Sequence, residues 1–173
     1  ARATIVNILT MSRKQGASTL TQQLARNMYN TIGFEKTYTR KLKELITAIK
    51  IEQTYTKSEI MELYLNSVYF GHGNYGVQAA SQHYFGKNVA NLNLDESAIL
   101  IGLLPAPARF SPITHPDRSL IRRNLVLKIM KEQTYIGLDE YNYYTKKELP
   151  QKYTKSDAGL APYFTEFIRR ELE

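Results

Sequence analysis

Apolar residues recur at intervals of three and four along most of this chain, and no region sustains an alternation of apolar and polar residues. The first spacing places side chains on one face of an α-helix, whereas alternation would indicate strands. The predicted fold class is therefore mainly α, with Ser18 placed to cap the second helix. The predicted helices lie near residues 1–12, 18–30, 38–54, 57–70, 74–84, 95–104 and 117–134.

Composition narrows the class of protein further. Hydrophobic residues make up 43% of the 173 residues, with 9 Gly and 6 Pro, which excludes a disordered or collagen-like chain. The absence of cysteine excludes a disulfide framework, cysteine-ligated zinc and a thiol nucleophile. The longest apolar run, residues 98–104, is far shorter than the roughly 18 residues of a membrane span. What remains is a helical domain with a formal net charge of +7.

The composition changes after Gly137, where Tyr, Lys and Glu become frequent. We therefore predict a main helical region over residues 1–136 and a peripheral, Tyr- and Lys-rich extension over 137–158. The chain opens with neither an initiator Met nor a signal peptide, so we expect it to be a piece of a longer protein.

The second predicted helix has a polar face that is mostly uncharged. Hydroxyls, amides and one guanidinium are groups that bind sugar hydroxyls and phosphate oxygens, whereas a solvated face normally carries Lys and Glu. The alternative is a polar surface with an amide cluster. The polar face consists of Thr19, Gln22, Gln23 and Arg26, and the opposite apolar edge of Leu20, Leu24 and Met28.

The third predicted helix places Glu44 one turn beyond Arg40 and Lys41. A carboxylate between cations stays ionised and can orient them toward an anion. The alternative is an ordinary exposed helix pair, which is common and weak. Lys36, just before this helix, is a further candidate cation. The residues expected to face the core, almost opposite Glu44, are Leu42, Leu45, Ile46 and Ile49.

Four segments, in this order, carry a resemblance to a known family. They are QGASTLTQQLARN (15–27), RKLKELITAIKIEQ (40–53), KSEIMELYLNSVYFG (57–71) and RRNLVLKIM (122–130). They closely resemble four of the five motifs of the peptidoglycan glycosyltransferase family (family 51), the lysozyme-like domain of class A, bifunctional penicillin-binding proteins. The resemblance runs from about Ala1 to Met130.

The resemblance implies polymerisation of lipid II into β-1,4 glycan strands. The donor is the growing glycan on undecaprenyl diphosphate, and the acceptor is the 4-hydroxyl of the incoming GlcNAc. Transfer from an α-linked donor proceeds with inversion, so a base is needed at the hydroxyl and stabilising charge at the departing diphosphate. The family's base is a Glu in its first motif, a Glu-Asp pair followed by an aromatic residue and a His. These 173 residues lack that motif, and we expect it upstream in the longer protein.

The resemblance also assigns roles to residues of this chain. Glu44 falls on the second family glutamate and is the predicted catalytic residue present here. Two positions depart from the family pattern: Arg26 stands where the family usually has Lys, and Ala17 where it usually has Gly. Arg26 keeps the charge and adds bidentate reach. The predicted substrate-binding residues are Thr19, Gln22, Gln23, Arg26, Asn27, Lys36, Arg40 and Lys41.

Partners and location follow from the same resemblance. Residues 159–173 look like the start of a linker toward a transpeptidase domain. We expect a parent on the extracytoplasmic face of the bacterial cell membrane, anchored by an N-terminal segment, with excess positive charge against the anionic membrane surface. Lipid II and moenomycin-type inhibitors are the expected ligands. No resident metal site is predicted, although a divalent cation, Mg²⁺ or Mn²⁺, at the diphosphate is chemically reasonable.

Two other functions remain as alternatives. A lysozyme-like hydrolase on the same fold would cleave finished peptidoglycan without needing a lipid diphosphate. A basic nucleic-acid-binding module is suggested only by the charge of +7, and the cations are scattered rather than arranged in a stripe.

Overall fold

A computed structural model of the chain describes residues 18–29 and 37–150. It confirms the mainly α class, and it divides into two compact units after Ser67. The predicted helix over residues 1–12, the candidate cation Lys36 and the segment 151–173 lie outside the described residues. Among the described residues, no helix combines the length and apolar character needed to cross a bilayer.

Three helices form the described part of the first unit: α1 (Leu20–Tyr29), α2 (Thr37–Thr54) and α3 (Lys57–Ser67). α1 packs against both of the others. Its buried face consists of Thr21, Leu24 and Ala25, which follow the helical i, i+3, i+4 spacing. The predicted apolar edge is confirmed at Leu24 and is wrong at Met28, which is 58% exposed.

The predicted orientation of α2 is wrong. Its buried face contains Glu44, Ala48 and Ile51. Side chains of α1 hydrogen-bond to Glu44 and to Glu52 on this side of α2, so polar contacts join the two helices in addition to their buried apolar residues. The apolar periodicity marks the aliphatic face of α2, but α1 packs against the opposite face, which carries Glu44. The residues expected in the core are instead exposed, Leu42 at 58%, Leu45 at 44%, Ile46 at 48% and Ile49 at 50%.

The second unit opens with a short antiparallel hairpin that the helical periodicity did not predict. Its strands, β1 (Tyr69–Gly71) and β2 (Asn74–Tyr75), occupy the end of one predicted helix and the start of the next. Gly71 has a φ of +96°, and a Cβ there would lie 3.0 Å from the Tyr84 hydroxyl and 3.2 Å from Pro107 Cβ. Glycine is therefore required both for the turn and for the close packing.

From α4 to residue 150, the described part of this unit is mainly helical and is built around one apolar helix. The elements are α4 (Val77–Phe85), a 3₁₀ turn (Val89–Asn91), α5 (Leu94–Leu103), α6 (Pro107–Phe110), α7 (Pro116–Glu132) and α8 (Leu138–Lys146). α5 packs mainly against α7 and buries Ala98, Ile99, Leu100 and Leu103.

α8 lies within the segment predicted as a peripheral extension, and the sequence pattern did not predict this helix. Tyr141 and Tyr144 pack against the buried cluster of Ala98, Leu127 and Ile136. Tyrosine can join an apolar cluster through its ring while its hydroxyl stays near water, so a Tyr-rich composition does not by itself indicate a separate extension.

Candidate active site

Glu44 lies at the centre of a group of cations in the first unit and is only 2% exposed. α1 supplies the first cation, Arg26, whose Nε donates a hydrogen bond to Glu44 Oε1 at 3.2 Å. The Nη2 of Arg26 also donates to Ser18 Oγ, at 3.5 Å. The hydrogen bond between Arg26 and Glu44 joins residues 18 positions apart in the sequence, so it depends on the packing of α1 on α2.

α2 supplies the other two cations of the group. Lys41 Nζ donates to Glu44 Oε2 at 2.5 Å, and Arg40 Nε lies 3.6 Å from Oε1. The spacings i, i+3 and i, i+4 place both cations over the turn that carries Glu44. The side chains of Arg26, Arg40 and Lys41 are 40%, 52% and 47% exposed. The carboxylate is thus enclosed while the cations reach solvent, which differs from an ordinary exposed helix pair.

The pKa of Glu44 reflects two opposing effects. Burial raises the pKa, but hydrogen bonds from Lys41 and Arg26, together with their positive charges, outweigh it and hold the pKa below its ordinary value of 4.5. Glu44 is therefore ionised at neutral pH. Since both of its oxygens are paired with cations, it is poorly suited to remove a proton from a substrate hydroxyl, and well suited to orient those cations.

Thr19 and Gln22 lie together at the start of α1, where they form a capping box. The Thr19 hydroxyl accepts a hydrogen bond from the Gln22 backbone N–H at 3.2 Å, and Gln22 Oε1 accepts one from the Thr19 N–H at 3.1 Å. Thr19 rather than the predicted Ser18 therefore caps this helix. The two oxygens serve the helix terminus as acceptors, so the Thr19 hydroxyl proton and the Gln22 amide donors are the groups with freedom to meet a ligand.

Gln23 is held from another helix. The hydroxyl of Tyr64, a buried residue of α3, donates a weak hydrogen bond to Gln23 Oε1 at 3.4 Å. Asn27 lies half-buried one residue beyond Arg26 on α1. The structure thus brings Arg26, Arg40, Lys41 and Glu44 together, and their assigned roles stay predictions.

Sequence reasoning missed a second polar contact between α1 and α2. The hydroxyl of Thr21, which is 4% exposed, donates a hydrogen bond to Glu52 Oε1, and Lys57 Nζ of α3 pairs with Glu52 Oε2. The available signal was spacing: Glu52 follows Glu44 by two helical turns and lies near the same face of α2.

Among residues 18–29 and 37–150, no group of three or more His, Asp or Glu side chains could hold a metal ion. Glu44 itself is surrounded by cations, which would repel a divalent ion. The donor groups of the described site therefore do not fit a resident metal.

Comparison with known proteins decides the family. The family model described as Transglycosylase matches residues 1–131. The chain belongs to this transglycosylase family. The assignment made from the four motifs is thereby confirmed, and the relatives described next are consistent with it.

Several curated relatives are penicillin-binding proteins. The chain is 49% identical to penicillin-binding protein 1A of Aquifex aeolicus over 97% of its length and 23% of the relative's. It is 44% identical to penicillin-binding protein 1A of Escherichia coli over 99% of its length and 20% of the relative's. A crystal structure of penicillin-binding protein 1A from Haemophilus influenzae matches 87% of this chain and 19% of that one, with 33% identity and a TM-score of 0.54. The chain thus spans about a fifth of the curated relatives' length.

Proposed function

We propose that this chain is the glycosyltransferase domain of a peptidoglycan-polymerising enzyme that uses lipid II. Membership of the transglycosylase family supports the reaction class. The observation that connects this reaction to particular residues is the enclosed carboxylate of Glu44, which is surrounded by three cations that reach solvent. A departing diphosphate is the anion for which such a site is suited.

The charge of the site favours an anionic ligand. Three cationic side chains and one carboxylate leave a local charge of 3 − 1 = +2. Each cation keeps about half of its side chain exposed. Arginine and lysine carry several N–H donors, so some can reach phosphate oxygens while others stay paired with the buried Glu44 carboxylate. Glu44 fixes the positions of the guanidinium and ammonium groups before substrate arrives, which lowers the reorganisation needed during transfer.

In the proposed reaction, the 4-hydroxyl oxygen of the acceptor sugar attacks the anomeric carbon of the donor. The bond from that carbon to the diphosphate oxygen breaks, and the electron pair leaves with undecaprenyl diphosphate. The hydroxyl proton passes to a base outside the described residues. Arg26, Arg40 and Lys41 stabilise the negative charge that grows on the diphosphate.

We place the proposed domain against the extracytoplasmic face of a bacterial membrane. Four exposed aliphatic residues of α2, Leu42, Leu45, Ile46 and Ile49, form an apolar edge on the unit that carries the cationic group. An apolar edge on a helix that also carries Arg40 and Lys41 suits an interface that contains anionic lipids. Replacing Leu45 and Ile49 with Ser should weaken binding to vesicles that contain phosphatidylglycerol, measured by flotation.

Incubation of the complete protein with lipid II tests the reaction. The expected product is a glycan polymer, and Glu44→Gln should greatly reduce it. Glu132→Gln is the matched control, because Glu132 lies in an exposed i, i+4 pair with Lys128. Absence of polymer from the wild-type protein, or full activity in Glu44→Gln, would contradict the proposal.

Two further assays separate related possibilities. Release of fragments from finished peptidoglycan would indicate a lysozyme-like hydrolase instead. Covalent labelling of the complete protein by a fluorescent penicillin would support the proposed transpeptidase domain, as the name of the relatives suggests. Assay with and without EDTA tests whether a divalent cation accompanies the diphosphate, and displacement of labelled moenomycin tests inhibitor binding.

A further inference from the structure

Two polar contacts between α1 and α2 show in which direction the two helices run relative to each other. Arg26, late in α1, reaches Glu44, early in α2, whereas Thr21, early in α1, reaches Glu52, late in α2. The helices therefore run antiparallel, with a polar tie at each end of their shared face. Glu44 and Glu52 are about 12 Å apart along the α2 axis, and Thr21 and Arg26 about 7.5 Å apart along α1.

The stretches of helix between the two ties bury two large apolar side chains, Leu24 of α1 and Ile51 of α2, and two small ones. Ala25 of α1 and Ala48 of α2 are both buried, at 0% and 6% exposure. Small side chains permit close approach of two helices but do little to stop one from sliding along the other. Hydrogen bonds are directional whereas apolar packing is not, so the two polar ties are the contacts that define the axial register of α1 on α2.

The Thr21 tie has the properties of a structural anchor. Thr21 is 4% exposed, so its hydroxyl would carry a desolvation penalty without a partner. Glu52 is held from its other oxygen by Lys57 of α3. One carboxylate thus connects the three described helices of this unit. Hydrogen bonds from Lys57 and Thr21 hold its pKa below the ordinary value, so it stays ionised.

We infer that Thr21 and Glu52 are positioning residues, which fix the register of α1 on α2 and thereby place Arg26 at Glu44. The effect of this positioning on catalysis rests on the proposed function. The pair acts at a distance from the cations and touches no substrate group. Without the tie, a slide of α1 by a fraction of an ångström would move Arg26 relative to Arg40 and Lys41.

Thr21→Val tests this inference because it removes the hydroxyl while preserving shape. Hydrogen exchange measured by mass spectrometry on the complete protein should rise in the segment 20–29. Glycan synthesis should fall on the order of tenfold, mostly in kcat, because the misplaced group acts on the leaving diphosphate. Thr21→Ser keeps the hydroxyl and should restore both. Thr54→Val is the matched control, since the exposed Thr54 hydroxyl donates to the Lys50 carbonyl within α2 and not to α1.

A double-mutant cycle then separates positioning from simple structural support. If Thr21 acts through Arg26, Thr21→Val should cost no further activity in a protein that already carries Arg26→Gln. Effects that multiply would overturn the positioning role. Unchanged hydrogen exchange in Thr21→Val would overturn the tie itself. If exchange rises but wild-type protein makes no glycan, the tie stands and the proposed function fails.

Discussion

Both units bury charged side chains, but they use them differently. In the second unit, Arg123 is fully buried and donates to the carbonyls of Thr145 and Lys147, at 3.1 Å and 2.8 Å, and to the Asn124 side chain. These are the last carbonyls around the end of α8, so Arg123 anchors that helix. In the first unit, Glu44 instead meets three side chains that reach solvent.

The difference separates a structural charge from a candidate functional one. The donors of Arg123 are directed at backbone and amide oxygens inside the unit, so no ligand is needed to complete its environment. Around Glu44 the positive charge exceeds the negative, and the excess is carried by half-exposed groups. Burial of a charge alone therefore does not distinguish a candidate functional site from a structural one, whereas unbalanced charge at an accessible rim favours the functional interpretation.

The largest predicted effect is a loss of glycan synthesis in Glu44→Gln. The amide keeps the shape but loses the charge that orients the three cations, so glycan synthesis should fall by about 10²- to 10³-fold. Initial rates with lipid II measure this. If Glu44→Gln retains more than a third of wild-type activity, Glu44 has a purely structural role, as Arg123 does.

A large effect on stability is expected from Arg123→Met. Methionine fills part of the volume but leaves the carbonyls of Thr145 and Lys147 without their donor, and the unfolding free energy should fall by about 3 kcal/mol. Denaturant unfolding followed by circular dichroism measures the change. A loss below about 1 kcal/mol would show that water replaces the guanidinium and that the anchoring role is overstated.

A smaller effect is expected from Arg26→Lys. The resemblance to the family implies lysine as the usual residue here, and lysine keeps the charge while losing the planar, bidentate geometry of the guanidinium. Activity should change by only about threefold, measured as kcat and KM for lipid II. Arg26→Met, which removes the charge, is the companion variant and should lose much more.

The smallest effect is expected in the acid range. The folded pKa of Glu44 is lowered, so its ion pairs stabilise the protein above pH 4.5 and this contribution is lost as the pH falls through the lower folded value. Unfolding free energies at several pH values should therefore fall less steeply with acid in Glu44→Gln than in the wild-type protein. If the two curves of unfolding free energy against pH are parallel, the ion pairs of Glu44 do not stabilise the folded protein.

Much of the candidate site could be predicted from the sequence because its contacts within α2 are local. Arg40, Lys41 and Glu44 lie within five positions, so helical spacing alone brings them together. Arg26 was placed with them only by resemblance to the family. Thr21 and Glu52 were missed, since neither forms a local pair with the other and a threonine within a helix carries no signal of its own.

Helical periodicity determined the class of this protein, and four ordered motifs determined its family. The tertiary structure decided which face of each helix is buried. On α2 the aliphatic residues Leu42, Leu45, Ile46 and Ile49 mark one side, yet α1 packs on the side of Glu44 and Ala48. Periodicity is a property of a single helix, whereas burial depends on the partner, and here the partner is held by two polar ties that join residues far apart in the chain.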